Sequence, residues 1–191
     1  MKGVLSVLSG MLLMTSISSA QAPPAGPVRT AAGLKQNYAI YKMMLTQAAE
    51  KMPESDYGFK PTPEIRAYGQ LWGHVANAQF FQCAEARGVP NPNPPGTDFE
   101  KKTTKADFVK ALADSFAFCD PAFSSLTDES AAELIQSGRG GQTSRAVALI
   151  GLLNHDSEMY GIGTVYLRLK GLVPPGTEMM QRGRGPGRGR E

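Results

Sequence analysis

The sequence predicts an all-α fold, a four-helix bundle with one long crossover connection between its second and third helices. Four long segments repeat apolar residues at spacings of three and four, and a Pro-rich stretch separates the second segment from the third. Almost no segment alternates apolar and polar residues as a strand does. The chain has 191 residues, of which 41% are hydrophobic and 19% charged, which suits one domain with tails.

Residues 1–22 have the layout of a secretory signal peptide. One lysine precedes an apolar run that ends near Met14, and small residues follow. The run is shorter than the ~17–25 residues that a membrane span needs. We therefore expect cleavage before Gln21 or Pro23, no membrane span, and export to the periplasm or beyond. The Pro-rich residues 23–28 predict a flexible lead.

The first two helices are predicted on either side of a turn-rich segment at 54–63. The first ends at Pro53, since proline lacks a backbone donor. The second begins near Glu64 and ends near Arg87, before a glycine and a proline. Their apolar stripes are Leu34, Tyr38, Tyr41, Leu45, Ala48 and Met52 in the first helix, and Ile65, Tyr68, Trp72, Val75 and Gln79 in the second, with His74 at the edge.

The connection at 89–104 contains four prolines and shows no periodicity. Fully extended it could span ~50 Å, which exceeds the ~35 Å length of the preceding helix. The connection can therefore return the chain to the end at which the second helix began. Helices two and three are expected to run parallel.

The second half of the chain predicts two more long helices and a tail. The bundle is expected to span 29–177 and a disordered tail 178–191, too poor in apolar residues to offset its ordering entropy. The expected elements are a third helix at 105–118 closed by Asp120-Pro121, a short helix at 128–136 with Thr127 as N-cap, a glycine hinge at 137–142, and a last helix at 143–170 with Gly171 as its C-cap.

The basic residues are concentrated in the tail. Residues 182–191 carry four arginines and one glutamate, a charge of +3. Subtracting this +3 and the +1 of Lys2 from the formal net charge of +3 leaves the bundle near −1. The domain is therefore not basic. No aromatic residues lie between the tail arginines, and a nucleic-acid partner is not expected.

Cys83 and Cys119 are the only cysteines. In an oxidising compartment an even count favours a disulfide, although two buried free thiols are the alternative. Both cysteines lie near the C-terminal ends of predicted helices that run parallel, which places them level. We therefore expect a Cys83–Cys119 disulfide.

The only two histidines, His74 and His155, both lie within predicted helices beside apolar faces. A single histidine in that position is commonly a hydrogen-bonded core residue. However, bundle interiors also collect metal ligands from facing helices, and Glu158 follows His155 by one helical turn. Two imidazoles and one carboxylate are a ligand set for Zn or Fe(II). We expect the two rings to face each other across the interior.

Two stretches resemble proteins of the DinB-like (damage-inducible) four-helix-bundle family. They are "AAEKMPESDYGFKPTPEIRAYGQLWGHVANAQFF" (48–81) and "NHDSEMYGIGTVYLRLKGLVPP" (154–175), and the resemblance extends over about 30–177. It implies a bundle with a crossover between helices two and three. It also implies that the protein could form a homodimer, as members of the family often do.

The resemblance implies a metal site whose ligands are one histidine on helix two and two histidines on the last helix. The matching positions are His74, His155 and Met159, so a thioether stands in place of the third imidazole. Thioether sulfur is a poor ligand for Zn(II) or Ni(II). Either Glu158 completes a site for one divalent ion (Zn, Ni or Fe), or no metal binds.

Two functions follow from these alternatives. One is a metal-dependent enzyme of thiol-transferase or hydrolase type, in which Glu158 is a ligand or a general base. The other is an exported, non-catalytic binding or scaffold bundle that has lost its metal. The sequence identifies neither a catalytic residue nor a small-molecule substrate.

Overall fold

A computed structural model describes residues 29–138 and 140–183. These residues form six α-helices, two short strands and two 3₁₀ turns. The helices are α1 (Thr30–Lys51), α2 (Tyr68–Arg87), α3 (Lys105–Ser124), α4 (Asp128–Ala132), α5 (Arg145–Leu169) and α6 (Pro175–Gly183); the strands are β1 (Leu134–Gln136) and β2 (Gln142–Ser144); the 3₁₀ turns are Glu54–Asp56 and Phe99–Lys101. The all-α prediction is confirmed.

The four long helices α1, α2, α3 and α5 form the bundle. The Tyr68 hydroxyl at the start of α2 donates to the Ala48 carbonyl near the end of α1, so these helices are antiparallel. Tyr38, early in α1, donates to Asp120, late in α3, and α1 and α3 are therefore also antiparallel. It follows that α2 and α3 run parallel, as the length of their connection predicts.

Cys83 and Cys119 form a disulfide between the last turns of α2 and α3. Their Cα atoms are 5.3 Å apart and 36 residues separate them in sequence. At the opposite ends of these helices, Gly69 of α2 lies against the Phe108 ring of α3. The two helices are thus level along their whole length, and the predicted cysteine pairing is confirmed.

The core lies between the four long helices and is rich in aromatic side chains. Burying a large apolar side chain contributes roughly 1.5–3 kcal/mol, so these residues dominate the stability of the bundle. The largest fully buried side chains are Trp72, Tyr68, Tyr166, Phe116, Phe123, Leu45, Met52, Leu71, Leu112, Leu149, Leu152 and Leu167.

Helix α2 begins at Tyr68, four residues later than predicted. Before it, the chain folds back on itself, and the backbone N–H groups of Tyr68 and Gly69 donate to the carbonyls of Phe59 and Tyr57. Ile65 therefore precedes the helix and is 39% exposed, so its predicted place in the inner stripe is wrong. The other predicted members of that stripe are buried.

Helix α3 continues through Pro121 to Ser124, although the sequence predicts an end at Asp120-Pro121. The added turn buries Phe123, whose ring stacks on that of Tyr38 with centroids 3.9 Å apart. This packing outweighs the backbone hydrogen bond that a proline within a helix removes.

The segment predicted as a helix at 128–136 is helical only through Ala132. Thr127 is the N-cap, as predicted, since its side chain accepts from the Ser130 backbone N–H. The chain then forms the β1–β2 hairpin instead of a hinge. Gly140 and Gly141, with φ of 96° and 76°, supply the left-handed backbone of its turn.

The beginning of the predicted tail is structured, because α6 includes residues 178–183, for which the sequence predicts disorder. Glu178 of this helix pairs with Lys51, and the Gly176 N–H donates to the Tyr160 hydroxyl at 2.6 Å. The predicted signal peptide at 1–22, the lead at 23–28 and the rest of the tail, 184–191, lie outside the described residues. Among the helices described, none combines the length and apolarity that a membrane crossing requires.

Candidate metal and ligand site

His74 and His155 face each other between the antiparallel helices α2 and α5. Their ring centroids are 5.1 Å apart and the rings are tilted by 52°. The juxtaposition expected from the sequence is therefore present.

His74 is oriented by Glu100, a residue that the sequence does not single out. The Nδ1 atom of His74 lies 2.8 Å from a Glu100 carboxylate oxygen. Because a carboxylate only accepts, Nδ1 carries the proton, and in the neutral ring Nε2 keeps its lone pair. Arg66 donates through Nε to the other oxygen of Glu100 at 2.9 Å. The resulting chain is Arg66–Glu100–His74.

Gly73 explains how the crossover connection brings Glu100 to this position. A Cβ at residue 73 would lie 2.5 Å from the Phe99 carbonyl oxygen and 2.8 Å from the Glu100 Cα. Only glycine therefore lets the backbone at 99–100 rest on α2. Asn77 adds two bonds, since it accepts from the Phe99 N–H and donates to Asp98.

His155 is half-buried, and its Nδ1 atom is buried without a hydrogen-bond partner among the described residues. Burial lowers the pKa of His155, the neighbouring His74 lowers it further, and Arg66 acts in the same direction. The Glu158 carboxylate opposes this shift. A neutral imidazole with an unpartnered nitrogen is the form that binds a metal ion.

Glu158 and Met159 lie on different sides of α5. Glu158 is exposed and, with His155, lines an open cleft of about 510 Å³ between α2, α5 and the hairpin. Met159 is buried and, with Arg66 and Glu100, lines a second cleft of about 690 Å³. His155 lines the first cleft directly, whereas the second cleft is connected to the pair through Glu100, which contacts His74.

Two imidazoles are close enough to bind one metal ion together, but no third donor lies beside them in the described part of the chain. Within 29–138 and 140–183, no group of three or more His, Cys, Asp or Glu side chains is placed to hold a metal ion. Glu158 would have to turn towards the histidines to become the third ligand. The metal site of His74, His155 and Glu158 therefore stays a prediction.

A second polar group, which the sequence does not single out, lies in the core between α2, α3 and α5. Asp156 is fully buried, and Gln79 Nε2 contacts its two oxygens at 3.3 and 3.4 Å. Gln79 in turn accepts from the Ser115 hydroxyl at 2.9 Å. Burial raises the pKa of Asp156 to about 7, while the Gln79 hydrogen bond lowers it in part. The only sequence signal is the helical phase of Asp156, which places it level with Leu152, Leu153 and Met159.

The described fold matches solved structures over most of the chain. A DinB-like protein from Bacillus cereus ATCC 10987 is 16% identical, with a TM-score of 0.64 over 75% of this chain and 95% of its own. A conserved protein from Enterococcus faecalis is 14% identical, with a TM-score of 0.59 over 75% and 98%. A DinB-like protein from Bacillus subtilis is 18% identical, with a TM-score of 0.59 over 74% and 94%. These similarities establish the fold.

The sequence itself carries the family assignment. No curated protein is significantly similar to the chain. The family model of the DinB superfamily matches residues 41–158, which is more than half of the chain and includes both histidines. The protein therefore belongs to the DinB superfamily.

Proposed function

We propose that this protein is an exported DinB-type bundle that binds one divalent metal ion weakly through His74 and His155. Glu158 is the candidate third ligand, and the remaining positions are open to water or a substrate. The observation that carries the proposal is the pair of facing imidazoles, one of which is fixed by a carboxylate.

The contact between His74 and Glu100 supports a ligand role for His74. Histidine ligands commonly donate their second ring N–H to a carboxylate, which fixes the tautomer and makes the ligating nitrogen more basic. Glu100 is itself held by Arg66. In this arrangement Glu100 is a positioning residue and not a ligand.

The chemistry proposed for the site is that of a thiol transferase or a hydrolase. A bound divalent ion would lower the pKa of coordinated water or of a thiol, which makes either one a nucleophile near neutral pH. Glu158 would be a ligand or a general base, since it lines the same cleft as His155. The cleft of about 510 Å³ has room for a small molecule.

Metal titration tests the proposal directly. Zn²⁺ binding to the purified protein is measured by calorimetry, together with metal content after dialysis. We expect weak binding at one site, abolished in His74→Ala and reduced about 10–100-fold in Glu100→Gln, because an outer carboxylate typically contributes that much. Lys110→Ala, a change at an exposed helix position, is the matched control.

Two further variants test which group is the third ligand. Glu158→Ala should weaken binding if its carboxylate is a ligand, whereas Met159→His should tighten it by adding a third imidazole. Binding that is unchanged in Glu158→Ala would remove Glu158 from the site. Absence of metal uptake by wild type and by Met159→His would refute the metal proposal altogether.

The second candidate function is a non-catalytic exported binding or scaffold bundle without metal. Met159 in the third ligand position favours it, as does the lack of a three-donor group among the described residues. In that case His74 and His155 are polar core residues. The metal content of the purified protein separates the two candidates, because the scaffold requires none.

Export is the remaining part of the proposal. The disulfide between Cys83 and Cys119 supports it, because such bonds persist mainly in oxidising compartments. Cell fractionation and the intact mass of the mature protein test it, with an expected start at Gln21 or Pro23. Full-length protein that is found with its cysteines reduced would contradict it.

A further inference from the structure

The second cleft, of about 690 Å³, lies between the turn that precedes α2, the start of α2 and the second half of α5. Among the described residues, it shares no lining residue with the cleft of His155. The metal ion and the substrate proposed above occupy the cleft of His155 and not this one. Its volume lies within the range of clefts that hold small molecules.

Much of the lining of the second cleft is apolar. Leu71 and Met159 contribute buried side chains, whereas Ile65 and Ile162 are 39% and 38% exposed. The turn before α2 brings Ile65 to this position, and the Tyr166 hydroxyl holds that turn by donating to the Arg66 carbonyl at 2.7 Å. An aliphatic or aromatic group lying on the two isoleucines would therefore remove apolar surface from water.

Two cationic side chains line the same cleft. The Lys60 ammonium has no hydrogen-bond or ion-pair partner among the described residues. Arg66 donates to Glu100 through Nε at 2.9 Å, but its Nη1 atom donates to none of the described residues. A guanidinium carries five N–H donors, so Arg66 can bind Glu100 and a second carboxylate at the same time.

Two carboxylates also line the cleft, and both have partners within the chain. Glu100 is bonded to Arg66 and to His74. A hydrogen bond from the Thr62 side chain lowers the pKa of the exposed Glu64, which is therefore ionised at neutral pH. The groups left open to a ligand are the Lys60 ammonium and the Arg66 Nη1, and both are donors of positive charge. The ligand group that meets them is expected to be an anion.

We propose that the second cleft binds a small amphipathic carboxylic acid. The carboxylate would accept hydrogen bonds from the Lys60 ammonium and from Arg66 Nη1, and the aliphatic or aromatic body would lie on Ile65 and Ile162. This site goes beyond the function proposed above and requires no metal ion. Arg66 connects it to the histidine pair, since the same guanidinium holds Glu100.

Probes of equal length and different charge test the class of ligand. Octanoate, octanamide and octylamine are titrated separately into the full chain, freed of metal on a chelating resin, and binding is measured by calorimetry. Octanoate should bind at one site with millimolar affinity or better, and octanamide about tenfold more weakly, since each of two partly exposed ion pairs contributes about two- to fivefold. Absence of octanoate binding, or octylamine binding as tight as that of octanoate, would overturn the proposal.

The length of the probe tests the apolar contact. From hexanoate to octanoate the affinity should rise about 5–15-fold, because each buried methylene contributes about two- to fourfold. Ile162→Ser should reduce this gain, whereas Val165→Ser, an exposed position of the same helix outside the cleft, should keep it. An affinity that does not change with chain length would overturn the proposal, since a carboxylate held by surface charge alone behaves in that way.

Two charge variants locate the carboxylate. Lys60→Gln should weaken octanoate binding about two- to fivefold and leave octanamide binding unchanged, and Glu64→Gln should tighten octanoate binding by removing a nearby negative charge. Lys110→Ala, outside the cleft, is the control. Octanoate binding that is unchanged in Lys60→Gln would overturn the proposed position. Because these titrations contain no metal, a protein that fails to bind Zn²⁺ can still bind octanoate, and the two proposals fail independently.

Discussion

The buried carboxylate of Asp156 should make the stability of the bundle depend on pH. Among the described residues, Gln79 is the one side chain that hydrogen-bonds to this carboxylate, and burial raises the pKa of Asp156 from 3.8 to about 7. A carboxyl group whose pKa is raised by folding stabilises the folded state fully below its unfolded pKa, and this contribution is lost as the pH rises through the folded pKa. The difference between the unfolded and the folded pKa corresponds to a loss of roughly 4 kcal/mol in the free energy of unfolding between acidic and alkaline pH.

Asp156→Asn removes the charge and keeps the shape of the side chain. At pH 8.5 the variant should be more stable than wild type by about 1–3 kcal/mol. Removing the buried charge stabilises the folded state by roughly 4 kcal/mol, and the new amide N–H without an acceptor cancels part of this. Near pH 4.5 the order should reverse. Both proteins are unfolded in urea across this pH range, with the disulfide kept oxidised, and unfolding is followed by circular dichroism.

Comparison with wild type isolates the Asp156 contribution. His155 has a lowered pKa, so its own contribution is lost as the pH falls, but it is present in both proteins and cancels. Asp114→Asn, at an exposed position of α3, is the control and should show a nearly constant difference from wild type. If the stability difference between Asp156→Asn and wild type is the same at pH 4.5 and 8.5, the carboxylate of Asp156 is not the source of the pH dependence.

Three other predictions concern the fold around the site. Replacing Cys83 and Cys119 by serine should lower the free energy of unfolding by about 3–4 kcal/mol, measured by urea unfolding, since their bond closes a long loop. Gly73→Ala should displace the backbone at 99–100 and weaken metal binding as Glu100→Gln does, whereas Gly161→Ala, whose added Cβ would meet nothing within 4 Å, should raise the melting temperature and leave metal binding unchanged. Deleting residues 184–191 should leave the melting temperature unchanged, because they hold only Arg, Gly, Pro and Glu; a large drop would show that this segment docks on the bundle.

The long helices were predictable because each buries a stripe of apolar residues spaced three and four apart. Their ends were less so, since local packing decides them. At Pro121, the stacking of Phe123 on Tyr38 extends a helix that the proline alone would end. At Glu64, a turn held by backbone bonds delays the start of α2.

The candidate site was predictable in part for a similar reason. His74 and His155 lie on helices whose periodicity places them at the interior. Glu100 lies in the crossover, where no period indicates direction, and only the close approach at Gly73 brings it to His74. A glycine immediately before a helical histidine is too common a pattern to predict such a contact.

The parallel arrangement of α2 and α3 has a consequence for the folding rate. Helices joined by short turns can pair as local hairpins, but α2 and α3 can pair only after a long loop has closed, which slows folding. Once the Cys83–Cys119 bond exists, that closure is retained in the unfolded chain. Oxidised chains should therefore refold faster than reduced ones. If the protein is exported, as proposed, the enzymes that form disulfides in that compartment would determine when the chain first folds.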